Sequence, residues 1–446
     1  MATKNGSMGT MKAGAGRAQI EFPEGFLPFD GFGTTGAEEP LYARTVVIED
    51  AQGARFAFCS VEATSLREPM LSNSLERIQQ IAGVAPERAW LGVTHSFSVP
   101  HVRTDAHVKT ERELVLNAAW RAAIEAAVSE STCQAVAGLV PAQLAYGEAA
   151  CTINVNRDVE TPEGWWHAAA GQRGEGYSDH VVRALAATAP GEGLIALICT
   201  FDVQSSLLDQ VRDADGLKVV SGDVAGTACR IVEEGLAAKE ARRASGKQPV
   251  CLFAVGAAAD QMPEEGAGAG MAALPRASAE LAAAIQEAAA AAGSLAPGPV
   301  RATAFDLQLA GQKMPANMRD LHPTRSYERV PAPANTTSVH VSSIAGVPLV
   351  GVAPEVSSLM AARIRATARS PRALVFTMIN GAQKYLVEAE AYDRNTYESM
   401  NSGFAQGGAE ALVEAAAAQI TRMQSPGIGA PATQPDEPVN QPQKEA

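Results

Sequence analysis

The sequence predicts an α/β fold: a mixed β-sheet core covered by helices. Short apolar runs (RTVVIED, RFAFCSV, AWLGVT, GLIALICTFDV, PVCLFAVG, VPLVGVA and ALVFTMI) alternate with segments whose apolar residues recur at helical spacing. The runs lack a polar face, which marks strands buried on both sides. An antiparallel component enters because RTVVIED and RFAFCSV are joined by AQGA, a hairpin-length connection containing glycine.

Taken in order, residues 1–14 are rich in Gly, Ser, Thr and Lys and read as disordered. The folded body is expected over 15–424 as one catalytic-size unit, with no repeat and no clean linker. Helices are predicted over 66–82, 111–130, 224–245, 277–292, 355–369 and 408–423. The fourth is expected to stop at Gly293, with Pro297 just beyond. The tail 425–446, SPGIGAPATQPDEPVNQPQKEA, reads as a loose segment.

Composition excludes several function classes. The 446 residues are 46% apolar and 19% charged, an ordinary globular balance with a sizeable core. Net charge is −13 and no Lys/Arg block occurs, which argues against nucleic acid or an anionic membrane surface as partner. The six cysteines are scattered without metal-ligand spacing and read as free thiols of a reducing compartment. The sequence carries no signal-length apolar segment and no run long enough to span a bilayer, so a cytoplasmic protein acting on a small molecule is expected. Oligomeric state has no sequence signal.

In α/β folds, functional side chains gather just past the carboxyl ends of strands. Five stretches occupy such places: THSFSVPH after AWLGV, INVNRD after the 136–150 region, QSSLLD after LICTFDV, GAAADQMPEEG after CLFAV, and NGAQKY after LVFTMI. A sixth, GVAPE, places Glu355 near the first turn of a helix, where a carboxylate suits the helix dipole whether or not it is a ligand. The others also have plain readings. Arg157 suits a surface, Tyr385 suits a core with its hydroxyl bonded, and the Trp165-Trp166 pair suits a pinned loop.

Nine segments in order carry a resemblance: AGAGRAQIEFP, EEPLYARTVVIED, TSLREPML, VTHSFSVP, NVNRD, SGDVAGTACRIVEE, FAVGAAADQMP, PLVGVAPEVSS and NGAQKYLVEAEAYDRNTYES. Their order and spacing resemble the N-terminal catalytic domain of the neutral (non-lysosomal) ceramidases, from about Gly14 to about Met423. Known members add an immunoglobulin-like C-terminal domain, and this chain is expected to lack it. The resemblance implies a catalytic zinc held by two histidines, a glutamate and a tyrosine. Such a zinc lowers the pKa of bound water to about 7 and polarises the amide carbonyl.

The carry-over is incomplete. His95 matches the first zinc histidine, whereas Phe97 replaces a substrate-facing histidine and Val99 a glycine. Gln204 stands where the second zinc histidine belongs, and an amide oxygen is a much poorer ligand than imidazole. Glu355 and Tyr385 match the remaining ligands, Tyr397 a pocket tyrosine and Arg157 a substrate-binding arginine. Asp260 is kept, and Met262 replaces a serine or asparagine. His101, six residues past His95, is a substitute ligand or a surface imidazole, while His107, His167, His180, His322 and His340 read as exposed or packing.

Three readings follow. In the first, a degenerate zinc site of His95, Glu355 and Tyr385 hydrolyses an amide of a small apolar or aromatic substrate, with Arg157, Phe97, Gln204, Met262, Lys384 and Tyr397 in contact with that substrate. In the second, the pocket has become a metal-independent lyase that removes a proton from a substrate hydroxyl and cleaves a C–C bond to release a small aldehyde. Tyr385, His95, Glu355, Lys384 and Asp260 are its candidate acids and bases, and Phe97, Val99, Met262 and the tryptophan pair its apolar wall. The third is a non-catalytic binding protein. Long-chain ceramide is not an expected substrate under any of them.

Overall fold

The computed structural model describes residues 10–33, 39–105, 108–240 and 248–425. The expected disorder of 1–9 and 426–446 falls outside these residues, as does His107. The body starts earlier than 15. Strand Lys12–Ile20 pairs from its first residue, Lys12 opposite Glu49 and Gly14 opposite Val47.

Among the described residues, three larger sheets form the body, with three two-stranded pairs beside them. The first runs Ala89–Val93, Arg55–Val61, Leu41–Glu49, Lys12–Ile20, Val140–Pro141. The second runs Val250–Phe253, Gly193–Thr200, Val181–Ala189, Gln143–Ala150, Gly293–Ser294, and the third Val300–Gln312, Pro331–Ile344, Val347–Val352, Leu374–Phe376. Each is mixed, with one parallel pair: Arg55–Val61 with Ala89–Val93, Gly193–Thr200 with Val250–Phe253, and Val347–Val352 with Leu374–Phe376. The expected hairpin forms between Leu41–Glu49 and Arg55–Val61, its turn closed by Asp50 Oδ1 accepting from the Gln52 and Ala54 amides at 2.9 Å each.

Helices cover only one face of each of the first two sheets. Val47, Ala57, Cys59 and Leu91 pack under helices Met70–Ala82 and Glu111–Ala137. Their neighbours Val46, Ile48, Phe56, Phe58 and Trp90 point the other way and meet Leu185, Ile198 and Leu252 of the second sheet with Leu349 and Phe376 of the third. Alternate residues of one strand thus serve two cores, as the period-2 geometry of strands requires. An apolar run records burial on both sides without recording whether the cover is a helix or another sheet. Trp90 anchors this centre edge-on to Phe56 at 5.2 Å and Phe58 at 5.7 Å, geometry that adds about 0.5–1.5 kcal/mol per pair beyond burial.

Helix boundaries shift for local reasons. The first helix starts at Met70, past Pro69, because proline disfavours helical backbone in the residue before it. Glu111–Ala137 outruns its expected end at 130, capped at its start by Thr110 Oγ1 accepting from the Glu113 amide at 3.2 Å. It lies directly on strand Lys12–Ile20. A Cβ on Gly14 would come within 2.1 Å of the Ala135 carbonyl oxygen, and one on Gly16 within 2.1 Å of that of Ser131. The helix expected over 355–369 is Ser358–Thr367, so Glu355 lies outside it, on the two-residue strand Glu355–Val356. Helix Leu274–Ala290 ends before Gly293, which instead pairs with Tyr146 at the sheet edge. No helix among the described residues is long and apolar enough to cross a membrane.

Candidate active site

Five strand ends converge. His95 follows Ala89–Val93, Gln204 follows Gly193–Thr200, Asp260 follows Val250–Phe253, Glu355 follows Val347–Val352, and Tyr385 follows Leu374–Phe376. Backbone bonds stitch the sheets together there: the Val255 amide donates to Val93 O and the Thr377 amide to Val255 O, each at 3.0 Å. Ser96 and Ser205 form a parallel bridge beside them. Tyr385 lies opposite Glu355 in a two-residue parallel pairing.

His95 is held in the left-handed region, φ 56°, a strained backbone for a non-glycine residue. Its Nδ1 lies 2.7 Å from the Thr64 carbonyl oxygen. That oxygen only accepts, so Nδ1 carries the hydrogen and Nε2 faces Glu355 Oε2 at 3.1 Å. The approach is an ion-pair contact outside hydrogen-bond alignment, leaving buried Nε2 without a hydrogen-bond partner. Burial pulls the His95 imidazole down, but the Glu355 carboxylate and the Thr64 carbonyl outweigh it and raise it above its ordinary value. Burial pushes Glu355 up, but His95 and Arg157 hold it below the ordinary carboxylate range. Both shifts favour the imidazolium–carboxylate form of the pair.

Arg157 continues the chain of contacts. Its Nη1 donates to Gln204 Oε1 at 2.9 Å and its Nε to Glu398 Oε1 at 2.8 Å, while its guanidinium lies 5.7 Å from the centre of the Tyr385 ring. Guanidinium only donates, so the Gln204 amide must turn its oxygen to Arg157 and its NH2 to Glu355, whose Oε2 is 3.3 Å away. Burial, with the Glu355 charge adding to it, pushes the Tyr385 phenol far up and keeps it protonated.

Two members of the site are missed by the sequence reading. Glu398, fully buried, is the counter-ion of Arg157, and His167 brings Nε2 to 3.3 Å from the same carboxylate oxygen. Burial would raise Glu398, yet Arg157 and His167 hold it well below its ordinary value. Burial and then the Glu398 charge push neighbouring Asp158 well up. His167, expected to be merely exposed or packing, belongs here by both contact and charge. The recoverable hint for Glu398 was its place directly after Tyr397.

The remaining candidates divide. Phe97 stands edge-on to His95 at 4.8 Å. Tyr397 meets Tyr385 at 5.9 Å, Trp166 at 5.4 Å and His167 at 4.3 Å, forming an aromatic wall. Met262 is buried on strand Gln261–Pro263, opposite Val155 in the segment leading to Arg157. Asp260 uses both carboxylate oxygens to brace loops, accepting from the Ser358 amide at 3.0 Å and Asn156 Nδ2 at 2.9 Å. Val99 is not part of the wall, because it packs in the core beneath the first sheet's helices. His101 does not reach the site; its Nδ1 pairs with Asp30 at 3.2 Å.

No family model and no curated protein sequence matches the chain. Among solved structures, neutral ceramidase from Pseudomonas aeruginosa matches with a TM-score of 0.73 at 17% identity, over 96% of this chain and 76% of that one. This chain has the neutral-ceramidase fold. A ceramidase complexed with C2 matches with a TM-score of 0.72 at 17% identity, over 96% of this chain and 77% of the other.

The zinc implied by the ceramidase resemblance can be tested against the donors. His95 Nε2, tautomer fixed and unpartnered, and Glu355 Oε2 both suit a metal. Gln204 does not, since it offers its NH2 to Glu355 and commits its oxygen to Arg157. The Arg157 guanidinium lies 5.7 Å from the centre of the Tyr385 ring, and its charge opposes a divalent cation there. Among the described residues, no group of three or more His, Cys, Asp and Glu gathers as metal ligands. Two suitable donors fall short of the three that catalytic zinc sites normally use, and the set as placed does not fit the ion.

Proposed function

We propose that the chain is an enzyme on the ceramidase scaffold that acts on a small aromatic molecule through its own acid and base groups, as a metal-independent C–C lyase releasing a small aldehyde. The observation that carries this reading is the orientation of Gln204, locked by Arg157 with its amide NH2 toward Glu355. The glutamine thereby secures the Glu355 carboxylate as a base and supplies no metal ligand.

In the proposed reaction, Glu355 takes the proton of a substrate hydroxyl. The C=O bond forms as the adjacent C–C bond breaks, and the electron pair left on the departing carbon takes a proton from His95 Nε2. Glu355 then returns its proton to His95 across their 3.1 Å contact, restoring both groups. The Tyr385 hydroxyl, kept protonated by burial, donates to the developing carbonyl oxygen in this proposal. Phe97, Tyr397 and Trp166 supply faces and edges for an aromatic ring. A reducing, cytoplasmic setting belongs to the same proposal, supported by free thiols at all six cysteines, five of them buried.

A second reading, hydrolysis of an aryl amide, is favoured by the similarity to two ceramidase structures. One experiment separates the two. Purified protein is analysed for metals, then assayed with and without chelator for aldehyde release from aromatic alcohols and amine release from aryl amides. The lyase reading expects zinc far below one per chain and aldehyde release that survives chelation. Stoichiometric zinc with chelator-sensitive amine release would overturn it.

A further inference from the structure

The cation expected to meet an anionic substrate group, Arg157, is already spent on Glu398 and Gln204. A different cation is free. Lys384 sits beside Tyr385 in the left-handed region, φ 58°, and its carbonyl accepts the Glu355 amide at 2.7 Å, so its backbone is pinned to the centre of the site. Its half-buried ammonium has one polar partner among the described residues, the Met318 thioether sulfur at 3.0 Å. A thioether is a weak acceptor. An ammonium drawn into the protein and given no oxygen is an unfilled site.

Met318 brings this contact to the surface. It is 45% exposed, and its sulfur also lies 4.0 Å from the Tyr397 hydroxyl and 3.4 Å from Asn401 Nδ2. Tyr397 carries the aromatic wall inward to Trp166 and Tyr385. Burial and a second cation, the exposed Arg67, pull the Lys384 ammonium below its ordinary value against the opposing pull of Glu355. In a chain of net charge −13, the Lys384 ammonium feels the Arg67 charge and has no carboxylate in ion-pairing reach among the described residues.

We propose that Lys384, with Arg67 beside it, is an anion-binding subsite, and that the substrate is an aryl compound bearing a carboxylate. The ring lies against Tyr397 and Trp166, and the carboxylate displaces the Met318 sulfur from the ammonium. This deepens the proposed function, because it places the charged end of the substrate at Lys384 and the reacting hydroxyl at His95 and Glu355.

The test reads binding alone. The full-length protein is titrated calorimetrically with 4-hydroxyphenylacetate and with its neutral isostere 4-hydroxyphenylacetamide. The acid should bind at least about tenfold tighter, as charge-assisted pairing to a partly buried ammonium warrants. Lys384→Met should remove the preference, Lys384→Arg should keep it, and Arg67→Gln should halve it or more, with circular dichroism confirming that each variant is folded. Equal affinity for the two probes, binding of neither, or an undiminished preference in Lys384→Met would overturn the proposal. A zinc-dependent turnover would overturn the lyase reading and leave the subsite standing, while a failed titration would leave the lyase chemistry standing.

Discussion

Arg44 and Arg157, two of the arginines buried among carboxylates, are finished to different degrees. Arg44 gives Nε and Nη2 to the two oxygens of Glu233 and Nη1 to Glu62. Glu233 also accepts from Arg17 and the Cys251 amide, and Glu62 from the Tyr42 amide. No side-chain atom of Arg44, Glu62 or Glu233 is left without a partner. Around Arg157 the match is looser: its Nη2 and His167 Nε2 meet Glu398 Oε1, and His95 Nε2 meets Glu355 Oε2, as ion-pair contacts outside hydrogen-bond alignment, while Glu398 Oε2 and Asp158 Oδ1 are buried without hydrogen-bond partners. Buried polar atoms in native proteins are overwhelmingly satisfied. The closed network serves the fold, and the less well satisfied one lies at the candidate site.

The sharpest way to break that contrast is His95→Gln. Turnover should fall by about 10²–10⁴, the usual share of a general acid or base, while the melting transition stays near the parent's. A large loss of stability with unchanged rate per folded molecule would put His95 in the structural class. Glu233→Gln should do the reverse, removing about 3–5 kcal/mol by breaking a buried pair and leaving the rate of the folded fraction intact, as read by urea melts and specific activity. Gly16→Ala should cost about 1–3 kcal/mol by forcing helix Glu111–Ala137 off its strand, again without touching the chemistry. The gentlest probe is pH. His95 acts as the acid and its pKa is raised, so activity should fade as pH climbs through a value above 6.5; Glu355 acts as the base and its pKa is lowered, so activity should fade as pH drops through a value below 4.5. A single limb centred on 6.5 would mean that the two groups do not interact.

Local pattern made much of this legible. The AQGA hairpin, the buried strands and the strand-end places of the stretches holding His95, Gln204, Asp260 and Tyr385 follow from spacing and residue type, while the choice of those residues rests on the family resemblance, and Glu355 reads as a helix-start charge where the structure has a strand. What local pattern lacks is the partner across space. Glu398 meets Arg157 from 241 positions away, and His167 reads in sequence as the end of a tryptophan run. The requirement that a buried guanidinium have a buried anion was inferable; which anion was not. For the same reason, the apolar strands announced burial without announcing that Phe56, Phe58 and Trp90 would face a second sheet.

The proposed site draws on all three larger sheets, and His95 and Glu355, far apart in the chain, meet only where the first and third of them dock. Assembly of this kind is governed by non-local contacts, which form late and slowly. Catalytic competence is therefore a stricter reporter of completed folding than backbone signal. On dilution from denaturant, far-ultraviolet ellipticity should return first and turnover last, and no fragment lacking one sheet should show any.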